Sequence, residues 1–131
     1  MIELTLSWPP SLNHYKKVGR TVTTKSGKRY QQRYNSPETT RFYYEVWVKI
    51  CALNAPEAIK FAQDAKNRLE VYIDLHPPTN RSDVDNYAKV VLDALQHGGL
   101  IANDNQISRL VIEKHLKLNQ GKCVVRVKPY E

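Results

Sequence analysis

Asp83 and Asp85 stand two residues apart in the run "RSDVDNYAKVVLDAL" (81–95), and Lys89 and Asp93 follow at four-residue steps. Two aspartates at this spacing, where a helix begins, offer the oxygen donors that a hard divalent cation such as Mg²⁺ takes. Such an ion is held by one or two carboxylates, with water and phosphate oxygens completing its shell. Asp104, on the loop after the helix, is the natural third carboxylate. Lys89, one turn inside, could orient a water or balance charge on a phosphate. A purely structural role competes. Ser82 or Asp83 would cap the helix, Ser82-x-x-Asp85 resembles a capping box, and Asp85 with Lys89 forms a helix-supporting i, i+4 pair. Acids near a helix N-terminus also suit its dipole, each worth about 0.3–1 kcal/mol. Yet a cap needs one acceptor where two aspartates are supplied, and adjacent acids repel unless a cation intervenes.

The net charge of +7 is localised. No acid lies between Glu3 and Glu38, and that window holds Lys16, Lys17, Arg20, Lys25, Lys28, Arg29 and Arg33, as many cations as the whole excess of 20 over 13. Tyr15, Tyr30 and Tyr34 interleave with them. A concentrated basic segment with aromatic residues points to a polyanion, nucleic acid first; the competing account is a solvated basic loop. Acid cluster plus basic clamp is the layout expected of a phosphodiesterase.

The elements that must position these groups can be read from periodicity. Residues 2–8 and 69–76 alternate apolar and polar and read as strands, the second with Leu69, Val71, Ile73 and Leu75 on one face and Glu70, Tyr72, Asp74 and His76 on the other. Two β-prone runs flank Ser26-Gly27, giving a hairpin or basic flap at about 14–35. Ser36 caps a helix that has Pro37 at its first position and Phe42, Val46, Ile50 and Leu53 as its apolar stripe. A short helix is expected within 54–68. In the aspartate-bearing helix, about 100° per residue puts Val84, Ala88, Val91, Leu92 and Leu95 on the buried face, with Asp85, Lys89 and Asp93 on a seam beside it. That helix ends near Gly98-Gly99. Strands at about 107–118 and 122–128 follow, joined through Asn119-Gln120-Gly121 as a hairpin. The order predicts an α+β fold, a small mixed or antiparallel sheet with two main helices packed on it, and one domain over residues 1–131.

Cys51 and Cys123, far apart in apolar company, read as buried thiols. Trp8 and Trp47 read as core or dimer contacts, His76 as a surface or hydrogen-bonded histidine, and His14 and His97 as surface residues. The N-terminus lacks a basic n-region and no apolar run is long enough to span a membrane, so the chain reads as cytoplasmic. The Asn80-Arg81-Ser82 sequon is discounted with it.

The run "DVDNYAKVVLDALQHGGLIANDNQI" (83–107) resembles the RusA family of Holliday-junction resolvases, whose pattern is Asp-x-Asp-Asn, a lysine, Asp-Ala-Leu and an acid before x-Gln-Val/Ile. "WPPSLNHY" (8–15) resembles the family's opening Pro-Pro-Ser-x-Asn. The resemblance implies a RusA-like nuclease domain. It implies a homodimeric, Mg²⁺-dependent endonuclease, with Mn²⁺ as an alternative ion, that resolves four-way DNA junctions by paired nicks. The setting would be DNA recombination and repair in a bacterial or phage-infected cell. Carried over by residue, Asp83, Asp85 and Asp104 are metal ligands and, with Lys89, the catalytic set. Arg81 joins the seven cations of the flap as the DNA-binding set. Two departures stand out. Asn103-Asp104 replaces the acid doublet often found in the family, and Thr79-Asn80-Arg81-Ser82 holds one arginine where members can have an arginine-rich run. Two other classes compete: a non-catalytic nucleic-acid-binding protein using the flap, and a nuclease for other branched DNA.

Overall fold

The computed structural model describes every residue except 12–15, 80–82 and 117–119, and gives the backbone alone for 16–20, 22 and 30–34. Alternation builds the sheet as expected. In β1 (Ile2–Ser7), Ile2, Leu4 and Leu6 are buried while the residues between them are exposed. In β4 (Leu69–His76), Leu69, Val71, Ile73 and Leu75 are buried. With β5 (Ile107–Lys114) and β6 (Lys122–Pro129) these form a mixed sheet of order β1-β6-β4-β5. The last two strands are not a hairpin. β4 lies between them, with Ile73 opposite both Val125 of β6, antiparallel, and Ile112 of β5, parallel. A parallel neighbour needs a crossover, and the α-helix between β4 and β5 provides it.

One face of the sheet is covered by three helices: α1 (Pro37–Cys51), α2 (Pro56–Gln63) and α3 (Asp85–His97). Burying that face and the helix stripes together is the main stabilising term, at about 25 cal/mol for each Å² of apolar surface removed from water. α1 starts as its sequence says, with the Ser36 hydroxyl accepting from the Thr39 N–H at 3.2 Å and Pro37 following. Its stripe Phe42, Val46 and Ile50 is buried, and Leu53 is half-buried. The short helix expected within 54–68 is α2. α3 ends in a glycine turn, with Gly99 at φ 80°, where the N–H groups of Gly99 and Leu100 donate to the carbonyls of Gln96 and Leu95. At neighbouring Gly98 a Cβ would meet Ile50 Cδ1 at 2.6 Å, so any side chain there would make the end of Ile50 shift where α3 lies against α1.

The basic segment forms its own two-stranded sheet, β2 (Lys16–Thr23) antiparallel to β3 (Arg29–Asn35), with a register shift between Val18 and Thr21. Its turn closes through Thr24 N–H to Lys28 O at 2.8 Å and uses Gly27 at φ 86°, a conformation that glycine adopts without strain.

The opposite sheet face carries charge. Glu70 is buried, held by the Tyr72 hydroxyl at 2.6 Å and flanked by Arg109 and Lys128; the Tyr72 bond is the main reason its carboxyl titrates below the usual range. Of the two cysteines only Cys123 is buried, which pushes its thiol up to about 12; Cys51, at the end of α1, is exposed. Trp47 is half exposed beside Tyr44, so it is not a core residue. His97 is exposed against the Tyr43 ring, and His14 and the sequon lie outside the described residues. Among the described residues no helix is long and apolar enough to cross a membrane.

Candidate active site

Which residues of α3 face the core decides what the aspartates can do. The buried residues are Tyr87, Val90, Val91, Ala94 and Leu95, whereas Val84, Ala88 and Leu92 are only half-buried. The core-facing stripe is therefore rotated by about 80° from the one expected, taking about 100° per residue. The cause is Tyr87, whose ring packs on Trp8 at 4.7 Å between centroids and draws that side of the helix inward. Asp85 and Lys89 are thereby turned directly away from the core and are exposed.

The capping role is not seen. Val84 occupies the position before α3 with helical φ and ψ, and among the described residues no side chain caps this end. The Asn86 N–H instead donates to the Asp83 backbone carbonyl at 3.2 Å. Ser82, the other expected cap, lies outside the described residues. Nor do Asp85 and Lys89 pair. The Lys89 ammonium sits 3.3 Å from Asp93 Oδ2, one turn further on. Among the described residues, Asp83 and Asp85 are exposed carboxylates with no partner.

Asp104 is positioned by a different device. It opens a 3₁₀ turn (Asp104–Gln106) that Asn103 caps by accepting from the Asn105 N–H at 3.0 Å. The Asp104 N–H donates to Gln96 Oε1 at 3.2 Å, tying the turn to the end of α3. Beneath it Gln106 is fully buried. Its Oε1 accepts from the N–H groups of Ala102 and Asn103 at 2.8 and 3.0 Å. Its Nε2 faces the carbonyls of Ala62, Asp64 and Asn67 at 3.0, 2.8 and 3.1 Å, so one of its two hydrogens is shared. One amide thus pins the Asp104 segment to the connection between α2 and β4. Gln106→Leu is expected to lower stability by about 3–5 kcal/mol, since each buried group left unpaired costs about 1–3 kcal/mol. Urea denaturation should show a lower midpoint at unchanged slope; a shift below about 1 kcal/mol would mean water replaces the amide.

The structure does not gather Asp83, Asp85 and Asp104 into one tight group. The set of three ligand-type side chains with donor atoms within 4.8 Å, among the described residues, is Asp74, Glu113 and His115 on the open sheet face. A metal-binding acidic group is possible there, and its residues lie on two strands that the sequence does not mark as neighbours. Asp74, however, is already held by Arg126 and by His115 at 3.0 Å. Burial pushes the Asp74 carboxyl up, but these two hydrogen bonds outweigh it and hold it below its ordinary value. His76 stacks on His115 at 4.7 Å, and burial together with that neighbour lowers its pKa. Asp74 is thus already paired within the protein, to a guanidinium and to an imidazole.

Of the expected DNA-binding residues, Lys25, Lys28 and Arg29 are exposed around the flap turn. Lys16, Lys17, Arg20 and Arg33 lie on the flap strands, with side chains outside the described residues, as is Arg81 altogether.

Residues 8–128 match the model of the family described as Endodeoxyribonuclease RusA. The chain is 31% identical over 106 residues to the crossover junction endodeoxyribonuclease RusA of Escherichia coli, covering 79% of this chain and 74% of that protein. It is 33% identical over 106 residues to the protein of that name from Shigella sonnei, with the same coverage. Against the crossover junction endodeoxyribonuclease of Enterobacteria phage HK97 it is 26% identical over 129 residues, covering 98% and 95%.

Proposed function

Since the chain belongs to the endodeoxyribonuclease RusA family, we propose that it is a divalent-metal-dependent endonuclease that resolves four-way (Holliday) DNA junctions by paired nicks, in recombination and repair. On this reading residues 1–131 are one nuclease domain with a basic flap, acting as a homodimer in the cytoplasm of a bacterial or phage-infected cell. The observation that carries it is the state of Asp83 and Asp85: two exposed carboxylates at the mouth of α3 that cap nothing and pair with nothing among the described residues. Like charges placed together without a structural task suit a cation. It is also what disfavours the non-catalytic binding reading, in which the aspartates merely cap the helix.

The donor set fits a hard ion. Asp83, Asp85 and Asp104 supply carboxylate oxygens, as Mg²⁺ or Mn²⁺ takes, and all three are exposed. When bound, such an ion supplies Lewis-acid polarisation of the phosphodiester and a water of lowered pKa. The chain's own residues do the rest. Gln106 and Gln96 hold the backbone at Asp104 in place. Lys89 lies on the same side of α3 as Asp85, where its ammonium can leave Asp93 for the phosphate and stabilise charge in the transition state. Two copies about a two-fold axis match the near two-fold symmetry of a junction.

The test is nicking of a synthetic four-way junction, with and without Mg²⁺. Symmetric paired nicks that need the ion are expected; tight binding without nicking in any divalent ion would return the chain to the binding class. The flap gives a second measurement. Lys25→Ala, Lys28→Ala and Arg29→Ala together should weaken junction binding and reduce the slope of log affinity against log salt by about 0.9 for each phosphate that is no longer neutralised. An unchanged slope would put the DNA elsewhere.

A further inference from the structure

Asp74 and Glu113 stand opposite one another in the parallel β4–β5 pair, on the sheet face turned away from the helices. His115 follows Glu113 by two residues and returns to that face. Its N–H donates to the Leu75 carbonyl at 2.8 Å, carrying the ladder one residue past the end of β5. Two carboxylates side by side on neighbouring strands repel unless a cation comes between them. An imidazole beside them adds the nitrogen donor that a transition metal takes and a hard ion does not need.

The donor atoms have nearly the spacing of a coordination shell. His115 Nε2 lies 3.0 Å from Asp74 Oδ1 and 3.9 Å from Glu113 Oε2, and the three ligand atoms fall within 4.8 Å of one another. A tetrahedral Zn²⁺ with bonds of about 2.0–2.2 Å holds its ligand atoms about 3.3–3.6 Å apart. The two separations from His115 bracket that range, and Glu113 is an exposed side chain that can close the difference. Arg126 does not compete for the same atom. It donates to Asp74 Oδ2 and, through Nε, to Glu3 Oε2 at 3.1 Å, so it holds the carboxylate by the oxygen that faces away from His115. Outer partners of ligating carboxylates act in this way. His76 stacks on His115 with the rings 16° from parallel, which fixes the plane of the imidazole.

We propose that Asp74, Glu113 and His115 bind one Zn²⁺, with water in the fourth position, and that this ion clips the end of β5 to β4. Its selectivity is the reverse of that of the α3 aspartates. One imidazole with two carboxylates suits Zn²⁺, whereas a set of carboxylates alone suits Mg²⁺. The clip has a mechanical basis. β5 is an edge strand, paired on one side only, and the chain reaches it from β4 through α3 rather than through a tight turn. Asp74 and His115 are 41 residues apart in sequence, and a metal bridge across a long loop restricts the unfolded chain strongly. The site is on the other side of the sheet from α3 and does not depend on the nicking reading.

The test uses the full chain, freed of metal by a chelator and titrated with ZnCl₂ in a calorimeter in the presence of millimolar Mg²⁺. Wild type should take up one Zn²⁺ per chain and melt at a higher temperature with it, since an ion that binds the folded chain alone stabilises it. Glu113→Gln and His115→Ala should each weaken Zn²⁺ binding by about tenfold or more and lose the rise in Tm. Glu113→Gln keeps the shape of an exposed side chain, so without zinc it should melt as wild type does. The chain carrying Asp83→Asn and Asp85→Asn together should bind Zn²⁺ as tightly as wild type. Absence of Zn²⁺ uptake, displacement by Mg²⁺, or equal uptake by wild type and His115→Ala overturns the proposal and leaves the group a hydrogen-bonded network. Uptake that disappears with Asp83 and Asp85 also overturns it, by moving the ion to α3.

Discussion

Asp85→Asn is expected to reduce metal-dependent nicking by about a thousandfold or more, the equivalent of about 4 kcal/mol in the barrier, while junction binding stays intact or tightens. The amide keeps the shape of the side chain and removes the charge that would hold the ion. Binding should survive because a negative charge next to a phosphate is removed, and that charge opposes DNA until a cation neutralises it. Folding should survive as well. The Asp85 carboxylate caps no N–H and pairs with no cation among the described residues. Only its interaction with the helix dipole disappears, about 0.3–1 kcal/mol. Gel shift, nicking and a thermal melt on one preparation separate the cases. Near wild-type nicking with a lowered melting temperature would return Asp85 to a structural role.

Lys89→Ala should slow single-turnover nicking by about 10²–10³, the scale of one transition-state hydrogen bond worth about 3–4 kcal/mol, and weaken junction binding only a few-fold. Its only ion pair among the described residues is with Asp93, and the lysine side chain is 62% exposed. Exposed pairs of that spacing are worth about 0.3–0.5 kcal/mol, so the variant should melt close to wild type. For binding, one cation among many is removed; for the reaction, it is the cation one turn from Asp85. A rate within a few-fold of wild type would leave Lys89 as a surface partner of Asp93 and no more.

Much of the candidate site is legible in the linear chain because its signals are local. Asp83, Asp85 and Lys89 fall within two helical turns, Ser36-Pro37 marks the start of α1 by its own chemistry, and Ser26-Gly27 between two β-prone runs marks the flap turn. Strands β1 and β4 announce themselves by alternation, since a sheet with one buried face imposes a period of two. Asp104 follows on the next loop, and the family pattern over 83–107 adds the class of chemistry.

The remainder depends on packing between residues far apart in sequence. Nothing between Ile107 and Pro129 says that β5 and β6 are separated by β4. A strand carries no mark of which neighbour it will pair with, and the parallel β4–β5 pair arises from the crossover through α3. The buried face of α3 departs from its periodicity because Tyr87 can lie on a polar or an apolar side, and a tryptophan 79 residues upstream settles it. Glu70 alternates as a surface residue yet is buried, since Tyr72, Arg109 and Lys128 surround it from three strands. Lys89 has acids at both four-residue steps, and only the folded helix selects Asp93. Gln106 looks like any polar residue of a turn, and its carbonyl partners stand about 40 residues before it. The sequence by itself determined which chemical groups are present, their local spacing and the elements that carry them, because periodicity, caps and turns are properties of neighbouring residues. Only the tertiary structure decided which way those elements turn and which groups remain unpaired, because side-chain packing and the satisfaction of buried polar groups are settled between segments that the chain keeps far apart.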